Sequence, residues 1–132
     1  MPGWGNRAMT DEELIFFQRM PEMLPVYEKL RGLLAAAYPD MGLKVTKTQI
    51  SLRNRYVFAA VSLPWRKLKG WPEKYVLVSF GLGWKLEDPR IIQAVEPYPG
   101  RWTHHVLLEK PEDVDGQLMD WLDQAYGFSM TK

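Results

Sequence analysis

The chain contains no cysteine among its 132 residues. It therefore cannot form a disulfide framework, a thiolate nucleophile or a zinc site with cysteine ligands. It also lacks any apolar run approaching the ~18 to 20 residues that cross a bilayer, and residues 1–9 contain no apolar stretch of the kind found in export signals. We expect a cytoplasmic protein without membrane contact, with a loose N-terminus over residues 1–9 and a single domain over residues 10–132.

The chain has almost no excess of charge of either sign. Its 17 Lys and Arg oppose 16 Asp and Glu, which gives a formal net charge of +1. The two signs are nevertheless separated along the chain, because residues 44–74 hold eight basic residues and one acid, a net of +7, whereas residues 109–132 have a net of −4. The near-neutral total thus conceals a basic segment in the middle of the sequence.

Several patterns predict helices. Thr10 and Glu13 have the spacing of a capping box, which indicates that a first helix begins after Thr10. Apolar residues recur every three or four positions over Pro25 to Tyr38, which predicts a second helix. Asp88 followed by proline predicts a short helix to about Val95, and Pro111 opens a final helix with an apolar stripe.

Four segments are typical of strands. Thr46 to Leu52 alternates between apolar and polar residues, whereas Tyr56 to Leu63, Tyr75 to Phe80 and Trp102 to Leu108 are mostly apolar. Short connections between successive strands favour antiparallel pairing. The predicted fold class is α+β: a mostly antiparallel sheet of about four strands, with two N-terminal helices, a short helix before the last strand and a C-terminal helix.

Six short segments occur in an order that matches a known family. They are VTKTQISL (45–52), YVFA (56–59), SFGLG (79–83), EDPRI (87–91), PGRWTHHV (99–106) and PEDVD (111–115). In this order, over about residues 26–128, the chain resembles the bacterial family catalogued as domain of unknown function 5655. The resemblance implies a small α+β domain and supplies no catalytic residue.

The sequence offers little support for a metal or a nucleotide cofactor. His104 and His105 are the only histidines, and adjacent residues of a strand point to opposite faces, so the pair cannot jointly bind one ion. Gly81-Leu82-Gly83 follows a strand but has no third glycine and opens no helix, as a dinucleotide site requires. We expect no metal and no cofactor.

The first hairpin suggests a ligand site. If Asn54 and Arg55 form its turn, Ser51 pairs with Phe58, and one face of the hairpin combines small, polar and aromatic side chains. We predict that this face and the last strand bind an anionic or peptide-like small ligand in a non-enzymatic module. The predicted ligand-binding residues are Lys47, Gln49, Ser51, Tyr56, Arg101, Trp102 and His104.

Two alternative functions remain open at this point. The basic segment also contains Trp65, Trp71 and Tyr56, and cations interleaved with aromatic rings are typical of nucleic-acid surfaces. The residues predicted for this alternative are Arg53, Arg55, Arg66, Lys67 and Lys69. The weaker alternative is a hydrolase that uses His104 as a general base, although no nucleophile is visible beside it. A homodimer is also possible, since six tryptophans could supply a self-association surface.

Overall fold

The computed structural model describes residues 9–64 and 66–131, and within them it contains three α-helices and six β-strands. The predicted loose N-terminus lies outside the described residues except for Met9. The helices are α1 (Asp11–Phe16), α2 (Leu24–Ala37) and α3 (Gly116–Ser129). The strands are β1 (Gly42–Val45), β2 (Ile50–Arg53), β3 (Val57–Ser62), β4 (Val76–Leu82), β5 (Ile91–Tyr98) and β6 (Arg101–Leu108). Short 3₁₀ turns at Phe17–Arg19 and Pro21–Met23 connect α1 to α2, and another at Pro111–Asp113 precedes α3.

All six strands belong to one antiparallel sheet with the order β1-β2-β3-β4-β6-β5. The predicted α+β class with an antiparallel sheet and helices near both ends of the chain is confirmed. The predicted number of about four strands is wrong, because two segments form strands that the sequence pattern did not indicate.

The first additional strand, β1, directly precedes the segment predicted as one strand over Thr46 to Leu52, and the first half of that segment is a turn. The chain reverses there, since the Thr46 amide donates to the Gln49 carbonyl over 2.9 Å. The Thr46 hydroxyl also accepts from the Gln49 amide over 3.2 Å, as threonine side chains do in tight turns. β1 and β2 therefore form a separate hairpin, with Val45 opposite Ile50.

The second additional strand is β5, which replaces the short helix predicted from Asp88 to about Val95. Asp88 caps only a single turn, in which the Ile91 amide donates to the Asp88 carbonyl over 3.0 Å. The chain then extends and pairs with β6. Ile91, Ile92 and Val95 are β-branched, and such residues prefer strands to helices. Gly100, with a φ of +79°, closes the hairpin between β5 and β6.

The first helix begins as predicted, because Thr10 and Glu13 form the expected capping box. The Glu13 carboxylate has a further role. It accepts a hydrogen bond from the Tyr27 hydroxyl and forms an ion pair with Arg31, whose Nε lies 2.6 Å away. The side chains of Glu13 and Arg31 are almost completely buried. This buried ion pair ties α1 to α2.

The two faces of the sheet have different residues. One cross-strand row contains Leu52, Ala59, Phe80 and His104, all buried, and Phe80 stacks on Trp121 of α3. This is the core face, on which α3 packs against β3 and β4. The neighbouring row points the other way and contains Ser51, Ala60, Ser79, His105 and Gln93. We call that side the open face.

A β-bulge alters the first predicted hairpin. The register shifts next to Arg53, which pairs with Val57, while Leu52 pairs with Ala59 and Ser51 with Ala60. Phe58 is therefore the extra residue, and the predicted pairing of Ser51 with Phe58 is wrong. Phe58 is buried, with its ring 5.1 Å from that of Tyr126 in α3, rather than lying beside Ala60 on the open face.

Candidate functional site

The open face contains a depression whose floor consists of small residues. Ala60, Ser79 and Gly81 lie next to one another on β3 and β4, and none of them fills the space above the sheet. The resulting cleft has a volume of about 330 Å³. Its polar walls are formed by Gln49, Arg101, Thr103 and His105. We call this space the small-floor cleft.

The charge of the small-floor cleft is one-sided. Among the described residues that line it there is no Asp or Glu, whereas Arg101 contributes a cation. The Arg101 guanidinium lies 5.9 Å from the ring centre of Tyr98 and 5.7 Å from that of Phe128. Such rings attract a cation without neutralising it. No carboxylate in the described part of the chain forms an ion pair with Arg101.

A serine and a histidine form a hydrogen-bonded pair at one side of the cleft. Ser79 Oγ lies 2.7 Å from Nδ1 of His105, and the two residues are directly opposite each other on β4 and β6. Burial lowers the pKa of His105, which favours the neutral form of the ring. A neutral imidazole has one donor and one acceptor nitrogen. No described residue is bonded to Nε2, which leaves that atom available to a ligand.

A second depression lies on the open face toward the other end of β3 and β4. Ser62 and Leu77 form part of its floor, and the segment 66–75 covers it with Leu68, Trp71 and Tyr75. Its volume is about 370 Å³. Gln49 lines both depressions, so they adjoin. We call the second space the covered depression.

The structure brings together some of the predicted ligand-binding residues. Gln49 and Arg101 both line the small-floor cleft, and Ser51 lies on the same face, where it accepts a hydrogen bond from Gln49 Nε2 over 3.0 Å. Tyr56 is an exposed residue of the β2–β3 turn. Trp102 does not join them, because it is in phase with His104 along β6 and pairs with the buried Leu82; Lys85 Nζ stands 5.6 Å from its ring centre.

Lys47 and His104 do not join this group. Lys47 is in the turn between β1 and β2, where it lines a groove with Glu12, Ile15 and Arg19. His104 lies in the core row, is 0% exposed and stacks on Phe80 with ring centres 5.2 Å apart. The two residues therefore cannot contact one small ligand on the open face together with Arg101.

His104 has no atom facing solvent. Its Nε2 accepts a hydrogen bond from the Leu86 amide over 2.9 Å, and burial lowers its pKa. The predicted hydrolase base would need to reach a substrate, and the His104 ring is enclosed by core residues. The Ser79–His105 pair is better exposed, but Ser79 is in the middle of β4, where its backbone lies between two paired strands rather than in the sharp turn of a nucleophilic serine.

The predicted nucleic-acid residues form two groups at opposite ends of β3. Arg53 and Arg55 flank the β2–β3 turn, whereas Arg66, Lys67 and Lys69 lie in the segment after β3. A strand of six residues separates the groups by ~17 Å. Lys67 Nζ also lies 3.0 Å from the Glu73 carboxylate. Trp65, which the sequence places beside these cations, lies outside the described residues.

Two other classes of site receive no structural support. Within residues 9–64 and 66–131, no three His, Asp or Glu side chains are close enough together to hold a metal ion. None of the helices in that same part of the chain has the length and apolar character needed to cross a membrane.

The sequence prediction missed Ser79, Thr103 and His105, although a signal for two of them is present. Val106 and Leu108 are apolar, and His104 is in phase with them along β6, so all three belong to the core face. Alternation then places Thr103 and His105 on the open face with Arg101. The contribution of Ser79 requires the pairing of β4 with β6, which no local pattern indicates.

Comparison with known proteins identifies the family of the chain. No curated protein and no solved structure matches the chain. One family model matches, described as Domain of unknown function (DUF5655), and it covers residues 13–129. This range begins at the buried Glu13 and contains all six strands and α3. The chain therefore belongs to the DUF5655 family, as the ordered sequence segments indicated.

Proposed function

We propose that the protein binds a small anionic ligand in the small-floor cleft, and that it acts as a binding module rather than as an enzyme. The observation that carries this proposal is the unneutralised Arg101 at a cleft whose described lining contains no acid. A carboxylate or phosphate at this position would form charge-assisted hydrogen bonds with the guanidinium.

The neighbouring polar groups support the same ligand chemistry. The Thr103 hydroxyl can donate to an anion, and so can Nε2 of His105 when Ser79 donates to Nδ1. The Gln49 amide is directed along the floor toward Ser51. A few polar groups around a partly apolar space are typical of small-molecule sites.

The test is a titration of the ¹⁵N-labelled protein with sodium acetate, and separately with sodium phosphate, followed by amide chemical shifts. We expect saturable shifts at Arg101, Thr103 and His105 with at least one of the two anions, because their backbone surrounds the binding position. Arg101→Gln should abolish saturation, whereas Arg55→Gln, which removes an exposed arginine outside the cleft, should leave it unchanged. Absence of saturable shifts, or equal effects of both substitutions, would overturn the proposal.

Nucleic-acid binding remains a separate prediction, and it differs in its dependence on salt. It requires Arg53 and Arg55 to act apart from Arg66, Lys67 and Lys69, since β3 separates them. Binding through several phosphates falls steeply with salt concentration. A fluorescence titration with single- and double-stranded oligonucleotides at ~50 mM salt would reject this function if it detected no binding.

A further inference from the structure

The two depressions on the open face differ in chemistry although they adjoin. The small-floor cleft contains Arg101 and the Ser79–His105 pair. The described lining of the covered depression is mostly apolar, with Leu68, Trp71 and Tyr75 among its residues, and the cation in it is Arg66. Tyr75 is 4% exposed, and its ring centre lies 5.8 Å from that of Trp71, so Trp71 packs against a buried ring.

The two spaces lie in line along the open face of β3 and β4. Leu77 and Gly81 are on the same face of β4, and four residues of strand separate them by ~13 Å. Among the described residues, Gln49 alone is common to the linings of both depressions, and it is exposed. The floor between the two ends consists of the small side chains of Ser79 and Ala60.

We propose that the ligand is an elongated organic anion, with its carboxylate or phosphate at Arg101 and an apolar chain or ring lying in the covered depression. This inference rests on the proposed function, because the position of Arg101 defines the anionic end. It adds a ligand class: amphipathic organic anions rather than compact ions such as acetate or inorganic phosphate. The apolar end would pack against Leu77 below and Trp71 above, which removes apolar surface of both partners from water.

Straight-chain carboxylates of increasing length test this inference. The probes are acetate, hexanoate and decanoate below their aggregation concentrations, with decanol as the uncharged control, and affinity is measured by calorimetry. We expect affinity to rise by up to about threefold to fourfold for each methylene that enters the covered depression, and decanol to bind much more weakly than decanoate.

Matched variants separate the two ends of the ligand. Trp71→Ala should remove most of the gain from acetate to decanoate and leave acetate binding unchanged, and Ser62→Leu should do the same by filling the floor of the depression. Trp84→Ala removes a tryptophan that is 49% exposed and lines neither depression, so it should have no effect. Because Ser62→Leu adds volume and Trp71→Ala removes it, a shared folding defect cannot explain the same result in both.

The possible outcomes distinguish the two proposals. If acetate and decanoate bind equally and both require Arg101, the elongated-ligand inference is wrong and the anion site stands. If Arg101→Gln leaves the affinities for acetate and decanoate unchanged, the anion site itself is wrong. If the dependence on chain length disappears in both Trp71→Ala and Ser62→Leu and binding disappears in Arg101→Gln, both proposals are supported.

Discussion

Replacing Glu13 by glutamine tests whether the buried ion pair holds the N-terminal helix in place. Glu13 is 0% exposed and Arg31 is 5% exposed, and their charged atoms are 2.6 Å apart. Glu13→Gln keeps the size of the side chain and a hydrogen-bond acceptor, but it removes the charge that neutralises the Arg31 guanidinium in this contact. Breaking one partner of a buried pair costs about 3 to 5 kcal/mol.

This cost is large compared with the whole free energy of unfolding, which is about 5 to 15 kcal/mol for a typical protein. With a denaturant slope of about 2 kcal/mol per M of urea, the unfolding midpoint should fall by about 2 M. The assay is urea denaturation followed by tryptophan fluorescence at neutral pH. Glu12→Gln, on the exposed side of the same helical turn, is the control and should change stability by less than about 0.5 kcal/mol.

The double variant Glu13→Gln with Arg31→Met tests whether the unpaired charge of Arg31 causes the loss of stability. It leaves no charge in the buried pair, so it should recover part of the stability lost in Glu13→Gln. The reasoning is refuted if Glu13→Gln costs less than about 1 kcal/mol, or if the double variant is less stable than the single one. Acid should act in the same direction: hydrogen bonds from Arg31, Tyr27 and Thr10 outweigh burial and lower the pKa of Glu13, so its stabilisation is present above about pH 4.5 and is lost as the pH falls further.

Three further outcomes follow from glycines and histidines of the sheet and helices. Gly81→Val adds a side chain to the floor of the small-floor cleft, and no atom lies closer than 3.8 Å to its Cβ. The amide chemical-shift changes caused by acetate should therefore vanish, while the urea midpoint of unfolding stays unchanged. Saturable shifts in this variant would contradict binding of acetate in the cleft. Gly83→Ala places a Cβ 2.8 Å from the Phe128 ring and should lower the free energy of unfolding by about 1 to 3 kcal/mol. Gly32→Ala, which has open space around it in α2, should raise it by about 1 kcal/mol. Equal urea midpoints for the two variants would refute the packing argument. Burial lowers the pKa of both His104 and His105, so these residues take up protons at a higher pH in the unfolded chain than in the folded one. The free energy of unfolding should therefore fall as the pH drops below about 6.5. A constant free energy of unfolding from about pH 7.5 to 5.5 would contradict this.

Local chemistry in the sequence was sufficient to predict much of the fold. The capping box at Thr10 and the second helix follow from side-chain spacing, and β3, β4 and β6 follow from apolar composition. The antiparallel sheet follows from the short connections. These features depend on residues close together in the chain, so a pattern of a few positions determines them.

The errors arose where two local signals competed. Asp88-Pro89 is a good helix start, but it yields one turn because the β-branched residues after it gain more from pairing with β6. Thr46 fits an alternating strand pattern, yet its hydroxyl satisfies the amides of a turn instead. In each case a tertiary or side-chain hydrogen bond decided between conformations that the sequence permits.

The candidate site was predictable only in part, because it depends on strand register. Gln49, Ser51 and Arg101 share the open face, whereas His104 and Trp102 have the opposite phase on β6. The contact between Ser79 and His105 joins residues that are 26 positions apart. Such a contact requires the order of strands in the sheet, which local periodicity does not contain.

The bulge at Phe58 also determines which face of the sheet the first residues of β3 occupy. Counted back from Ser62 in a regular strand, position 58 would share a face with Ala60, directly beside Gly81. A phenyl ring there would occupy the cleft, but the extra residue shifts the strand by half a period, and the ring packs with Tyr38 and Tyr126 instead. Deleting Val57 would pair Arg53 with Phe58 in a regular hairpin and bring the phenyl ring to the cleft without altering any of its polar groups. The volume of the small-floor cleft is therefore set by which residues of β3 face it, not by the lengths of the loops.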